Sequence, residues 1–302
     1  MINYDPHRWW DHLLDIKGSM VREIMPPVMV CVVWSAGVVV FDKRVFHVGI
    51  PATVHSLVGL ALGLLLVFRT NASYDRFWEG RKLWGGIVNE TRNLARASSV
   101  LLREAPDLPL RIVHWSMTWA WASMFWLRGG KRNLGPNCHV LPEEERNAVL
   151  EAQHVPLAVA VRISRDLDEA RRRGVISDYQ QMTLDQNVQL LIDYIGACER
   201  IHKTPLPFAY VVHLRRALIL YCFSLPFALI DTFHWATLGL VFVLAYTFFG
   251  IEEIGVEIED PFGEDDNDLP LETICSNIEK NLLALTGKGG TAMPGAPEAE
   301  AP

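Results

Sequence analysis

IPATVHSLVGLALGLLLVF, Ile50 to Phe68, runs nineteen positions without a charged residue. About 20 apolar residues cover the roughly 30 Å of a bilayer's hydrocarbon, so this stretch is read as a membrane-spanning helix. Leu60, Leu64 and Phe68 stand at successive fours and share one face of it. Gly59 and Gly63 leave room for neighbouring backbones to approach. Two readings of the stripe are open: contact with lipid or another helix, or several copies lining a dry constriction that gates ions by dewetting.

Three further runs have the same character: PPVMVCVVWSAGVVVF, Pro26 to Phe41, which reaches spanning length if its helix begins near Val21; AYVVHLRRALILYCFSLPFALI, Ala209 to Ile230; and FHWATLGLVFVLAYTFFGI, Phe233 to Ile251. The last two form a tight hairpin with its linker around Asp231. The fold class that follows is an all-α integral membrane protein with four transmembrane helices. Arg215 and Arg216 must avoid lipid, since an arginine at mid-bilayer costs a few kcal/mol or more, which places them at the cytoplasmic end of the third span or facing a watery interior.

Basic residues set the orientation. Lys17 and Arg22 precede the first span, while Arg69, Arg76, Arg81, Lys82, Arg92 and Arg96 crowd after the second, against only Lys43 and Arg44 between them. Positive loops stay inside, so both termini are expected in the cytoplasm and the protein in the cell (inner or plasma) membrane.

The whole chain has 302 residues, 50% of them hydrophobic, with 35 acids against 28 Lys and Arg and a net charge of −7. That balance excludes a nucleic-acid partner, which needs a basic surface. Five scattered cysteines without a CxxC pair suggest neither disulfides nor a thiolate metal site. No catalytic signature stands out: there is no GxSxG elbow, phosphate-cradling glycine loop or HExxH. His55, His114 and His213 lack paired ligands and are given no role.

Residues 1–20 read as an N-terminal amphipathic helix rather than a signal peptide, 21–69 as the first two spans, 70–206 as a cytoplasmic helical domain, 207–251 as spans three and four, 252–286 as an acidic turn with a C-terminal cytoplasmic helix, and 287–302 as a disordered tail. Within the cytoplasmic domain, IVHWSMTWAWASMFWL, Ile112 to Leu127, is uncharged but short and Trp-rich, which predicts a buried helix rather than a fifth span. EEERNAVLEAQHVPLAVAVRISRDLDEARRR has helical periodicity with Gly174 as its stop, and Ser177 caps the next helix.

Two motifs carry more specificity. At the exit of the second span, FRTNASYDRFWEGRKLWGG mixes base, acid and aromatic in Arg69, Asn71, Tyr74, Asp75, Arg76 and Trp78. Beyond the fourth span, IEDPFGEDDNDLPLE, Ile258 to Glu272, is a Pro-Gly turn whose acids Asp265, Asp266 and Asp268 suit the N-terminus of the following helix. Clustered carboxylates at a turn also suit a hard, oxygen-seeking Ca²⁺, although the spacing is not that of an EF-hand.

RTNASYDRFWEGRKLWG and the acidic turn resemble the bestrophin family, whose bacterial members are similar over roughly residues 8 to 285. The resemblance implies a homopentamer around one axial pore, with Leu60, Leu64 and Phe68 as its neck. A second, cytoplasmic aperture falls in HKTPLPFAY at Leu206 with Thr204 nearby, where Pro205 and Pro207 break the helix; an ordinary kink is the other reading. By the same resemblance Asp265 and Asp268 are side-chain ligands of a Ca²⁺ clasp, completed by backbone carbonyls of Glu257 and Asp260. No cofactor is required, and Ca²⁺ at the acidic turn is a structural ion at most.

The function that follows is a passive channel for small monovalent ions: chloride or other anions in the family, sodium or other cations in bacterial members. Its partners are further copies of itself, membrane lipid and the permeant ions. Two other classes stay open: a metal-dependent membrane carrier or enzyme built on Asp265, Asp266 and Asp268, and a non-conducting scaffold.

Overall fold

The computed structural model describes residues 20–286, and among these every regular element is helical. The expected N-terminal amphipathic helix and the C-terminal tail lie outside the described residues. The helices are α1 Val21–Arg44, α2 Ala52–Leu101, α3 Asp107–Leu127, α4 Glu143–Glu151, α5 Val155–Arg172, α6 Asp178–Lys203, α7 Phe208–Phe233, α8 Thr237–Glu257 and α9 Leu271–Leu285. Two compact units share them: one holds the chain up to Trp78, Thr204–Pro261 and Asp265–Asp268, the other Glu79–Lys203, Phe262–Glu264 and Leu269 onward.

Among the described residues, three helical stretches are long and apolar enough to cross a membrane: Val21–Arg44, Ala52–Leu101, whose part beyond Trp78 belongs to the second unit, and Phe208–Glu257, which is α7 and α8 joined by a 3₁₀ turn at His234–Ala236. The reversal falls at His234, whose φ of 49° turns the chain, and not around Asp231 as the sequence suggested. Asp231 belongs to the last turn of α7 and meets His47 Nε2 at 3.2 Å, while His47 Nδ1 lies 3.0 Å from Asp42. A Cβ at Gly49 would stand 2.0 Å from Asp231 Oδ1, so a side chain there would displace the Asp231 carboxylate.

The apolar core of this unit gathers Val28 and Cys31 from α1, Leu62 and Leu66 from α2, Leu214, Leu218 and Leu225 from α7 and Val241 and Ala245 from α8. Gly59 faces the Tyr221 ring, with a Cβ position only 2.4 Å from its hydroxyl, whereas Gly63 has open space around it. The expected close approach of backbones is therefore, at Gly59, the approach of a tyrosine side chain that also stacks on His55 at 4.3 Å.

The second unit is built on α3, in which Trp115 and Trp119 are fully buried, as its uncharged sequence requires. Helices α5 and α9 pack against it. The helical pattern from Glu143 to Arg173 breaks at Ala152–His154 rather than running through, because Pro156 cannot donate within a continuing helix. His154 Nδ1 caps α5 by accepting from the Leu157 amide at 3.1 Å. Gly174 stops α5 at φ +74°, and Ser177 with Gln180 forms a reciprocal cap on α6.

Candidate pore-lining site

Successive residues of an α-helix turn by about 100°, so positions two apart lie on nearly opposite faces. Helix α2 uses this strictly. Leu62 and Leu66 are 3% and 1% exposed in the core, while Leu60, Leu64 and Phe68 are 74%, 56% and 57% exposed. Leaving a leucine or phenylalanine in water forgoes about 1.5–3 kcal/mol, so the outer stripe calls for lipid or another copy of the chain.

The split continues into the motif after the span. Asn71, Tyr74, Asp75 and Trp78 remain on the exposed side, in register with Phe68, while Arg69, Ser73 and Arg76 turn inward. Arg69 is 1% exposed; it donates to Ser73 Oγ at 2.8 Å and to Glu259 Oε2 at 2.7 Å, and its Nε lies 3.9 Å from Glu252 Oε2. Gly255 of α8 makes the space, since a Cβ would meet Arg69 Cγ at 3.3 Å. Arg215, from the third span, donates to Glu252 Oε1 at 3.2 Å. Two arginines thus face two glutamates, which is the condition for holding charge beside apolar helices.

Glu259 does more than neutralise Arg69. Its Oε1 accepts the Leu206 amide at 2.8 Å, and its backbone carbonyl accepts from Arg76 Nε at 2.9 Å. Arg76 also donates to the carbonyl of Thr204. The Thr204–Pro207 segment, with Thr204 exposed and Leu206 half-buried, is therefore fastened to the end of the second span through one carboxylate. Sequence reasoning passed over Glu252 and Glu259; the available signal was two acids seven apart at the end of an apolar helix, opposite Arg69 and Arg215, which needed partners.

The acidic turn is held by local hydrogen bonds. The Asp268 side chain folds back so that its Oδ2 accepts the Asp265 amide at 2.8 Å, and the Asp268 amide returns a bond to the Asp265 carbonyl at 3.0 Å. Glu257 Oε1 accepts from Asn267 at 2.8 Å. Burial above all, with Asp265, Asp260 and Glu257 adding to it against the Asp265 amide bond, pushes the Asp268 carboxyl up to about 6. Among the described residues no three carboxylates, histidines or cysteines come together as metal ligands. Asp265, Asp260 and Glu257 lie near enough to Asp268 to act on its carboxyl electrostatically.

The sequence profile of the bacterial/fungal bestrophin proteins matches residues 1–284. The chain belongs to the bestrophin family. Among its relatives, the voltage-dependent anion channel-forming protein of Synechocystis sp. is 42% identical over 284 residues, covering 93% of this chain and 92% of that one. The Escherichia coli K12 protein YneE, with the same description, is 31% identical over 94% of both chains. A crystal structure of a bacterial bestrophin homolog from Klebsiella pneumoniae shares the fold with a TM-score of 0.81 and 32% identity, over 88% of this chain and 99% of that one. The Synechocystis and Escherichia coli relatives are described as channel-forming proteins, not as enzymes.

Proposed function

We propose that this bestrophin is an ion channel in which five copies surround one axial pore in the cell membrane, with both termini cytoplasmic. The observation that carries the reading is the exposed stripe Leu60, Leu64 and Phe68, set on the face of α2 opposite the residues that hold the subunit together. Five such stripes form an apolar neck that offers no group to replace an ion's hydration shell. Leu206 and Thr204, fastened through Glu259 and Arg76, form the second constriction on the cytoplasmic side.

The permeant species are small monovalent ions. The descriptions of the relatives point to anions. The neck itself carries no charge to choose a sign, so discrimination falls to groups outside it and to the ease with which each ion sheds water. Bi-ionic recording on purified protein in planar bilayers, with NaCl against potassium gluconate and against N-methylglucamine chloride, reads the sign directly. A reversal potential that follows the chloride gradient assigns anions, and one that follows sodium assigns cations. Silence of the wild type together with Leu64→Ala and Leu206→Ala rejects the channel. The detergent-solubilised particle should weigh about five copies of the 34.1 kDa chain once detergent is subtracted, and a monomer rejects the axial pore.

A further inference from the structure

Within the unit that holds Glu79–Lys203, a cleft of about 540 Å³ opens where α3, α4 and α5 meet. Five arginines and three carboxylates line it. At its floor Asp166 is 2% exposed. Its Oδ1 is held by Arg111 Nη2 at 2.8 Å, while its Oδ2 has no hydrogen-bond partner. An oxygen buried in that condition is costly unless something else meets it.

The groups facing Asp166 are Arg111 from α3, Glu145 from α4, and Arg162 and Glu169 from its own helix. On α6, Asp185 is occupied by the Ser164 hydroxyl at 2.6 Å. Burial first, then Glu145 and Glu169 working against Arg111 and Arg162, raise the Asp166 carboxyl to about 7. A proton bound there sits on Oδ2, because Oδ1 points at a guanidinium. The result is an unpartnered O–H donor buried at the floor of the cleft.

Two cations at the rim remain under-used. Arg165 makes no ion pair or hydrogen bond among the described residues, and the nearest acid to Arg162 is Glu145 at 3.8 Å. Both arginines also line an adjoining groove of about 440 Å³ whose other walls include Ala148, Val149, Leu157 and Val161. A charged cleft and an apolar groove thus share the same two guanidiniums. Together they have the size and mixed lining usual for a small-molecule site.

We propose that this cleft binds a small phosphate monoester, with its phosphate between Arg162, Arg165 and the unpartnered Oδ2 of Asp166 and its organic body in the apolar groove. Guanidinium forks match phosphate oxygens in geometry as well as charge. An anion can lie against the Asp166 carboxyl only if that group carries a proton, so above about pH 7, where the free group is ionised, binding takes up a proton. The same chemistry is present in a soluble ester and in the headgroup of phosphatidic acid.

The test uses the full-length protein in phosphatidylcholine nanodiscs, titrated calorimetrically with phenyl phosphate and with inorganic phosphate. Phenyl phosphate should bind about tenfold or more tightly than inorganic phosphate, since burying a phenyl ring is worth more than the roughly 1.4 kcal/mol that a tenfold change represents. Arg165→Ala, an exposed position, should weaken phenyl phosphate binding about tenfold at pH 6. Asp166→Asn keeps a donor at every pH, and the ligand's own titration is common to both proteins. The ratio of wild-type to Asp166→Asn affinity should therefore fall about tenfold between pH 6 and pH 8.

Discs containing phosphatidic acid separate the sources: undiminished phenyl phosphate affinity assigns the site to a soluble ester, and competition assigns it to the lipid. Absence of binding by either form overturns the proposal. So does wild-type affinity in Arg165→Ala, or a ratio that does not change with pH.

Discussion

The Glu259 carboxylate lies 2.7 Å from the buried guanidinium of Arg69, and its second oxygen accepts the amide of Leu206. One side chain therefore neutralises a charge at the end of the second span and fixes the backbone of the proposed aperture. Truncating one partner of a buried pair leaves the other uncompensated, at a cost of about 3–5 kcal/mol. Glu259→Ala should lower the unfolding free energy by that order and disturb conduction together. Glu259→Gln, which still accepts from Leu206, should lose less than Glu259→Ala; equal losses would show that the charge alone matters.

The two faces of α2 should respond oppositely to the same substitution. Leu66→Ala opens a cavity in the core and should cost about 2–5 kcal/mol in thermal or denaturant unfolding. Leu64→Ala, on the exposed stripe, should change subunit stability little but raise single-channel conductance by widening the neck. A Leu64→Ala channel with wild-type conductance would remove this position from the pore wall.

Gly59 and Gly63 make a second matched pair. Gly59→Ala puts a Cβ 2.4 Å from the Tyr221 hydroxyl, an overpacking that costs about 1–3 kcal/mol. Gly63→Ala meets nothing within 4 Å in the subunit and should be neutral or stabilising by up to about 1 kcal/mol through helix propensity. A loss of oligomer on Gly63→Ala, read by particle mass, would identify close contact between copies at this position.

The acidic turn should show its character in pH and not in calcium. Burial raises the Asp268 carboxyl to about 6, above its unfolded value near 3.9. Between these values the folded state binds more protons, so stability should fall as pH rises from about 4 to about 6 and then level off. Asp268→Asn, which keeps an acceptor for the Asp265 amide, should flatten that slope in unfolding scans at stepped pH. Because Asp268 and Glu257 are engaged by Asp265 and Asn267, adding Ca²⁺ or EDTA should leave the unfolding temperature unchanged; a clear rise in Ca²⁺ would mean that these side chains rearrange to ligate it.

What could be read from the sequence was whatever depends on neighbours along the chain. The charge-free runs fixed the helices that can cross a membrane, because backbone groups in hydrocarbon must be satisfied within each segment. The fourfold spacing of Leu60, Leu64 and Phe68 was enough to place them on one face. The uncharged, Trp-rich stretch from Ile112 likewise announced a buried helix. The helix stop at Gly174 and the cap at Ser177 are local signals of the same kind.

Other features rest on residues far apart in the chain, and only the tertiary structure decided them. Which face of α2 turns inward depends on what α7 and α8 offer it. The choice of Glu252 and Glu259 as partners of Arg215 and Arg69 joins positions 37 and 190 residues apart. The acidic run is adjacent in sequence, but which of its carboxylates meet local donors is decided in the fold: Asp268 accepts the Asp265 amide and Glu257 accepts from Asn267. Hydrogen-bond geometry, which composition does not encode, directs Asp268 Oδ2 to the Asp265 amide.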